Sequence, residues 1–227
     1  MFIGHFAVGL GAKRIAPSVS LGTLFLAGQL ADLLWPTFVL LGLERVDIAP
    51  GITAVTPLDF VRYPYSHSLV ALLGWAALLA LGYAVARRGG RRPGVGALTL
   101  AGLVLSHWVL DVITHRPDMP LTPGGSPLLG FGLWNSLPAT LAVEGLLFAA
   151  GVAIYLRATE ARDRVGLLAF WSLISFLVVV YLANLFGPPP PSVAAVAWSA
   201  QAIWLLVAWG YWIDRHRRPV LRKSAVA

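Results

Sequence analysis

Seven ionisable side chains stand inside otherwise apolar runs of this 227-residue chain: His5, Asp32, His67, His107, Asp111, His115 and Glu144. They are imidazoles and carboxylates, a donor set that suits zinc and also manganese or iron. The chain has no cysteine, which excludes disulfides and thiolate sites. The tightest pattern is His107-x-x-x-Asp111-x-x-x-His115, with neighbours one helical turn apart on one face. His107 and Asp111 can share an ion. His107 and His115 lie ~12 Å apart along a helix axis, too far for the same ion. His115 is left to a second ion, a substrate head group, proton donation, or no role. Ser66-His67-Ser68 adds an imidazole at a helix start, where serines can cap. Plainer readings exist for each residue. A lone histidine can bond between helices, Glu144 can be a protonated buried acid, and Asp32 can bond backbone freed at Pro36. As a group, however, the acids have almost no Lys or Arg inside the apolar runs to neutralise them. Several carboxylates in such surroundings require a cation, because unpaired charge there is very costly.

The surrounding sequence places these residues in a membrane. Hydrophobic residues make up 58% and charged residues 12%, against ~25% charged for an ordinary soluble domain. Mean hydropathy is +0.76, and both figures exclude disorder. Nine Trp, ten Phe and six Tyr suit anchoring at membrane interfaces. A spanning helix needs ~20 mostly apolar residues, and six stretches qualify: Ser20–Leu43, Ser66–Ala86, Val95–His115, Asn135–Leu156, Val165–Phe186 and Val193–Ile213. Phe2–Gly11, ahead of Lys13 and Arg14, is too short and reads as a half-helix. The expected fold class is therefore all-α: one polytopic membrane domain over 1–227, with six transmembrane helices and a short N-terminal half-helix. The candidate site falls within 1–145, spans five and six within 165–213, and a basic tail follows at 214–227.

The bases set the orientation. Lys13, Arg14, Arg87, Arg88, Arg91, Arg92, Arg157, Arg162, Arg164, Arg215, Arg217, Arg218, Arg222 and Lys223 are 14 of the 17 basic residues. The six-span topology puts all of them on one face, which the positive-inside rule makes cytoplasmic, with the C-terminus on that side. The net charge of +7 thus reflects topology and contact with anionic lipid, not a nucleic-acid partner. Measured from span ends, Asp32 lies ~16 Å deep, Glu144 ~14 Å, His107 ~12 Å and Asp111 ~6 Å, while His5 enters ~12 Å from the opposite side. His67 starts span two at the outer surface. Four segments thus converge on the outer half of the bilayer, near its middle.

These residues resemble a known family. The opening Met-Phe-Ile-Gly-His5-Phe-Ala-Val-Gly, the Gly-Gln-Leu-Ala-Asp32-Leu-Leu-Trp-Pro, the Tyr-Ser-His67-Ser and the Ser-His107-Trp-Val-Leu-Asp111-Val-Ile-Thr-His115 look like the membrane-bound, metal-dependent hydrolases of bacterial inner membranes, also described as LexA-binding, inner-membrane-associated hydrolases. The ligand order is also similar to zinc-dependent phospholipase C. The resemblance covers about the first 145 residues. It implies an inner-membrane location and His5, Asp32, His67, His107, Asp111 and Glu144 as metal ligands. Where the family often has a second acid two residues after the first, this chain has Leu34, and Thr140 stands where phospholipase C has a histidine four before the Glu. Fewer ligands imply one ion, or two.

The leading expectation is an integral-membrane hydrolase of a lipid or lipid-linked ester, preferably a phosphoester, working through a divalent metal, zinc first. Glu144 is then a ligand or general base and His115 a proton donor. The segments Glu44–Tyr65 and Arg116–Leu133 shape entry. The rival readings are a metal-ion or proton transporter built on the same residues, and a non-catalytic scaffold. The sequence names no protein partner.

Overall fold

The structure is a computed structural model and describes residues 1–88, 93–125 and 127–220. Its elements run α1 (Ile3–Ala12), α2 (Leu21–Gly28), α3 (Leu30–Leu40), β1 (Arg45–Ile48), β2 (Leu58–Arg62), α4 (Pro64–His67), α5 (Leu69–Ala86), α6 (Pro93–Thr114), β3 (Met119–Pro120), β4 (Leu128–Leu129), α7 (Leu137–Ala158), β5 (Thr159–Ala161), α8 (Arg164–Phe186), α9 (Val193–Ala200), α10 (Ile203–His216) and β6 (Arg217–Pro219). Among the described residues, five helical stretches are long and apolar enough to cross a membrane, or six if the bent pair α2–α3 counts as one crossing. The protein is all-α and polytopic, and the ten-residue α1 is too short to span.

The helix starts follow from local chemistry. Ser20, Ser68, Ser136, Asp163 and Ser192 each accept a backbone N–H from three residues on, satisfying a donor that the first turn leaves free. Two expected boundaries differ. Ser20–Leu43 is not one helix: it bends by 56° between α2 and α3 at Gln29. Span two is entered through the one-turn α4, after which Ser68 is extended and begins α5. Both interruptions fall beside the candidate ligands.

One end of the bundle collects the bases. Lys13, just after α1, bonds Asp214 near the end of α10 at 2.9 Å. Antiparallel pairing of β5 with β6 brings the α7–α8 connection to the chain after α10. Arg91, Arg92, Arg222 and Lys223 lie outside the described residues. The opposite end carries the β1–β2 and β3–β4 hairpins, a cap whose Val46 and Met119 pack with Trp35, Tyr63 and Val112.

Inside the bundle α1 lies along α7. Gly151 makes this possible, because a Cβ there would overlap the backbone of Ala7. Gly210 does the same for α10 against α2, where a Cβ would come within 2.9 Å of the Gly22 nitrogen. Around these contacts Phe6, Leu10, Phe25, Tyr155, Phe170 and Leu173 form the main apolar core.

Candidate metal centre

The bend in α2–α3 builds one side of the site. A helix end leaves its last carbonyls without intrahelical partners, and the carbonyl of Gly28 accepts the Nδ1–H of His107 at 2.8 Å. A carbonyl can only accept, so the proton is on Nδ1 and the Nε2 of His107 faces Asp111 Oδ2 at 3.1 Å. Restarting the helix at Leu30 puts Asp32 in the first turn of α3, where the helix dipole favours a carboxylate.

A second device orients His67. Glu44, at the end of the loop after α3, accepts the backbone N–H groups of Tyr65 and Ser66, each at 2.8 Å, and the Ser66 hydroxyl at 2.6 Å. Having given its proton to Glu44, Ser66 Oγ accepts from His67 Nδ1 at 2.7 Å. The Nε2 of His67 therefore points the other way, to Asp32 Oδ1 at 3.5 Å and Asp111 Oδ2 at 3.8 Å. His107 Nε2 lies 3.8 Å from the same oxygen of Asp32.

Four donor atoms from α3, α4 and α6 thus face one another. Tetrahedral coordination with bonds of about 2.0–2.1 Å sets neighbouring donors roughly 3.3–3.4 Å apart, and the four imidazole-to-carboxylate separations here, of the six that four donors define, run from 3.1 to 3.8 Å. The His107 Nε2 is buried with no hydrogen-bond partner among the described residues. The groups His5–His107–Asp111 and Asp32–His67–His107 could each hold a metal ion. The side chain of Asp32 is 26% exposed while those of His67, His107 and Asp111 are at 1–4%, so the cluster opens to its surroundings at Asp32.

His5 completes the near side. Its ring stacks on His107 with centroids 3.7 Å apart, and its Nε2 meets Asp111 Oδ1 at 3.0 Å. The same oxygen accepts the amino group of Met1 at 2.6 Å. The Nδ1 of His5 has no partner among the described residues.

The other two candidates have different surroundings. Glu144 accepts the backbone N–H of Phe2 at 3.1 Å, so its carboxylate caps the start of α1. His115 belongs to the cap. Its Nδ1 bonds Asp118 at 2.9 Å, Tyr63 donates to the same carboxylate at 2.8 Å, and its ring packs on Trp134. Burial and then the Asp118 charge keep Tyr63 protonated well beyond its usual range. Beside them a cleft of about 480 Å³ is lined by Asp59, Phe60, Arg116, Asp118 and Leu128, with Arg116 paired to both acids.

Glu44, Ser66, Gly28 and Asp118 escape a search for ionisable residues in apolar runs: two are loop acids and two supply only an oxygen. The pattern Ser-His was the one available signal. Gln29 also stands out, since its buried amide has no partner among the described residues. No protein-family model matches this chain, and comparison with curated proteins and with solved structures finds no match either.

Proposed function

We propose that the protein is an integral-membrane, metal-dependent hydrolase of lipid or lipid-linked esters, with Asp32, His67, His107 and Asp111 as the principal ligands. One observation carries this reading. With Nδ1 of both His67 and His107 committed outward, their Nε2 atoms face two carboxylates across 3.1–3.8 Å. Neutral rings would leave acceptors facing acceptors in a dry site, an arrangement that a cation relieves. Nitrogen and oxygen donors at these separations favour zinc, with manganese and iron as the next choices. The family resemblance of the first 145 residues supports the same assignment.

A divalent cation held there supplies Lewis acidity, polarising the ester and acidifying water. The protein's own groups do the rest. Water adds to the phosphoryl or acyl centre, the ester bond breaks, and the water's proton passes to the leaving oxygen. His5 is placed to carry that proton, since its Nε2 is held by Asp111 and its Nδ1 is uncommitted. Glu144 positions His5 by capping α1. His115, with Asp118, Tyr63 and the neighbouring cleft, faces a polar head group at the capped end. The exposed edge at Asp32 admits the substrate.

The break at Gln29 favours a second reading, ion transport, because interrupted helices commonly line ion sites. Elemental analysis of detergent-purified protein beside His107→Ala and Asp111→Ala tests the shared premise. Stoichiometric metal lost in both variants supports the site; wild-type protein that neither carries nor takes up metal overturns both readings. Hydrolysis of a lipid-ester panel, against metal flux into proteoliposomes, then separates them.

A further inference from the structure

Beneath the His/Asp cluster a groove of about 720 Å³ runs between α1, α6 and α7. Val8 lines it from α1, Gly102 and Leu103 from α6, and Leu147 from α7. Its lining is apolar apart from Thr99, whose hydroxyl is turned back onto its own helix at the Val95 carbonyl, 2.8 Å away. The volume falls within the roughly 300–1,000 Å³ of ordinary ligand pockets. Along α6 it extends from Val95 to Leu103, ~12 Å, starting at the end of the bundle that carries the bases.

The groove ends within one helical turn of the site on all three helices. Val8 is one turn from His5, Leu103 one turn from His107, and Leu147 one turn from Glu144. Residues three or four apart lie on the same helix face, so His5, His107 and the α1-capping Glu144 each stand one turn above a groove residue. A ligand with a polar reacting group at the cluster and a long apolar body would lie along this surface, open sideways to the bilayer.

Resting on the hydrolase reading above, we propose that this groove holds one hydrocarbon chain of the lipid substrate, directed from the cluster toward the basic end. The protein would then select long-chain substrates through α1, α6 and α7, and the reacting ester would be set at the cluster by the anchored chain.

Gly102→Phe tests this. Gly102 lines the groove and a Cβ there meets nothing within 4 Å, so a larger side chain is accommodated at the groove without displacing backbone. Gly74→Phe is the control: it too has open space, and it lies on α5, away from the groove. Delipidated proteins are titrated with dipalmitoyl phosphatidylglycerol and examined by native mass spectrometry. Wild type and Gly74→Phe should retain one lipid, and Gly102→Phe should bind it at least tenfold more weakly. Wild type that retains no lipid, or Gly102→Phe binding like wild type, overturns the groove. Turnover of a long-chain ester relative to a short-chain ester should fall at least tenfold in Gly102→Phe. Lipid retention lost in Gly102→Phe, without hydrolysis by any of the proteins, would leave the groove standing and remove the hydrolase reading. Hydrolysis with an unchanged chain-length ratio would do the reverse.

Discussion

Ser66 donates its hydroxyl to Glu44 across 2.6 Å, joining positions 22 apart in the chain. That bond decides which nitrogen of His67 faces the site. Outer partners of this kind typically change metal affinity or activity 10–100-fold when removed, roughly. Ser66→Ala should therefore weaken metal retention by about 10–100-fold, read by chelator competition. Ser66→Thr, which keeps the hydroxyl, should recover most of it. Equal retention in Ser66→Ala and wild type would show that the relay does not orient a ligand.

The contact of α1 with α7 depends on Gly151. Gly151→Val puts side-chain atoms where the Ala7 backbone lies. Forced overpacking costs about 1–3 kcal/mol, and here the displaced helix carries His5. A lower melting temperature together with altered metal stoichiometry is expected. Gly145→Val, on the same helix with open space around its Cβ, should change neither.

Lys13 is buried and bonds both oxygens of Asp214, at 3.0 and 2.9 Å, as well as the Val19 carbonyl at 2.8 Å. Asp214 also accepts the Leu21 N–H at the start of α2. Breaking such a pair leaves one charge without its partner. Lys13→Met should cost toward the lower end of about 3–5 kcal/mol, since Asp214 keeps some contact with solvent. The double variant Lys13→Met, Asp214→Asn should cost less than the sum of the singles, measured by chemical denaturation in detergent.

At the basic end, Asp163 caps α8 and accepts from His216 at 2.8 Å. The His216 bond first, and the Gly166 N–H second, hold its pKa below the usual 3.8. A depressed carboxylate stabilises the fold above its unfolded pKa and loses that effect as pH falls through the folded value. Asp163→Asn keeps the cap and removes the charge. The melting-temperature gap between wild type and this variant should close as pH drops below 3.8. A gap that persists in acid would assign the effect to something other than the charge.

Much of this protein is legible in its residues. The length and apolarity of the spans follow from bilayer thickness, and the short α1 from the same measure. The four-residue spacing of His107 and Asp111 places both on one helix face, and the structure sets Nε2 and Oδ2 3.1 Å apart. The bend at Gln29 is not legible in this way. Ser20 to Leu43 is a continuous apolar run, and the break is tolerated because His107, 79 positions away, takes up the carbonyl of Gly28. Glu44 reads as an ordinary loop acid until the chain after α3 folds back onto Ser66.

What the sequence determined by itself is whatever depends on neighbours along the chain: helix length, capping, one-turn spacing and the donor chemistry. Tertiary structure alone decided which nitrogen of each imidazole faces inward, which carboxylates meet, and that Glu144 holds α1 while His115 joins the cap. These depend on hydrogen bonds between residues tens of positions apart. Their energy is felt only once the helices have packed, so no local pattern records them.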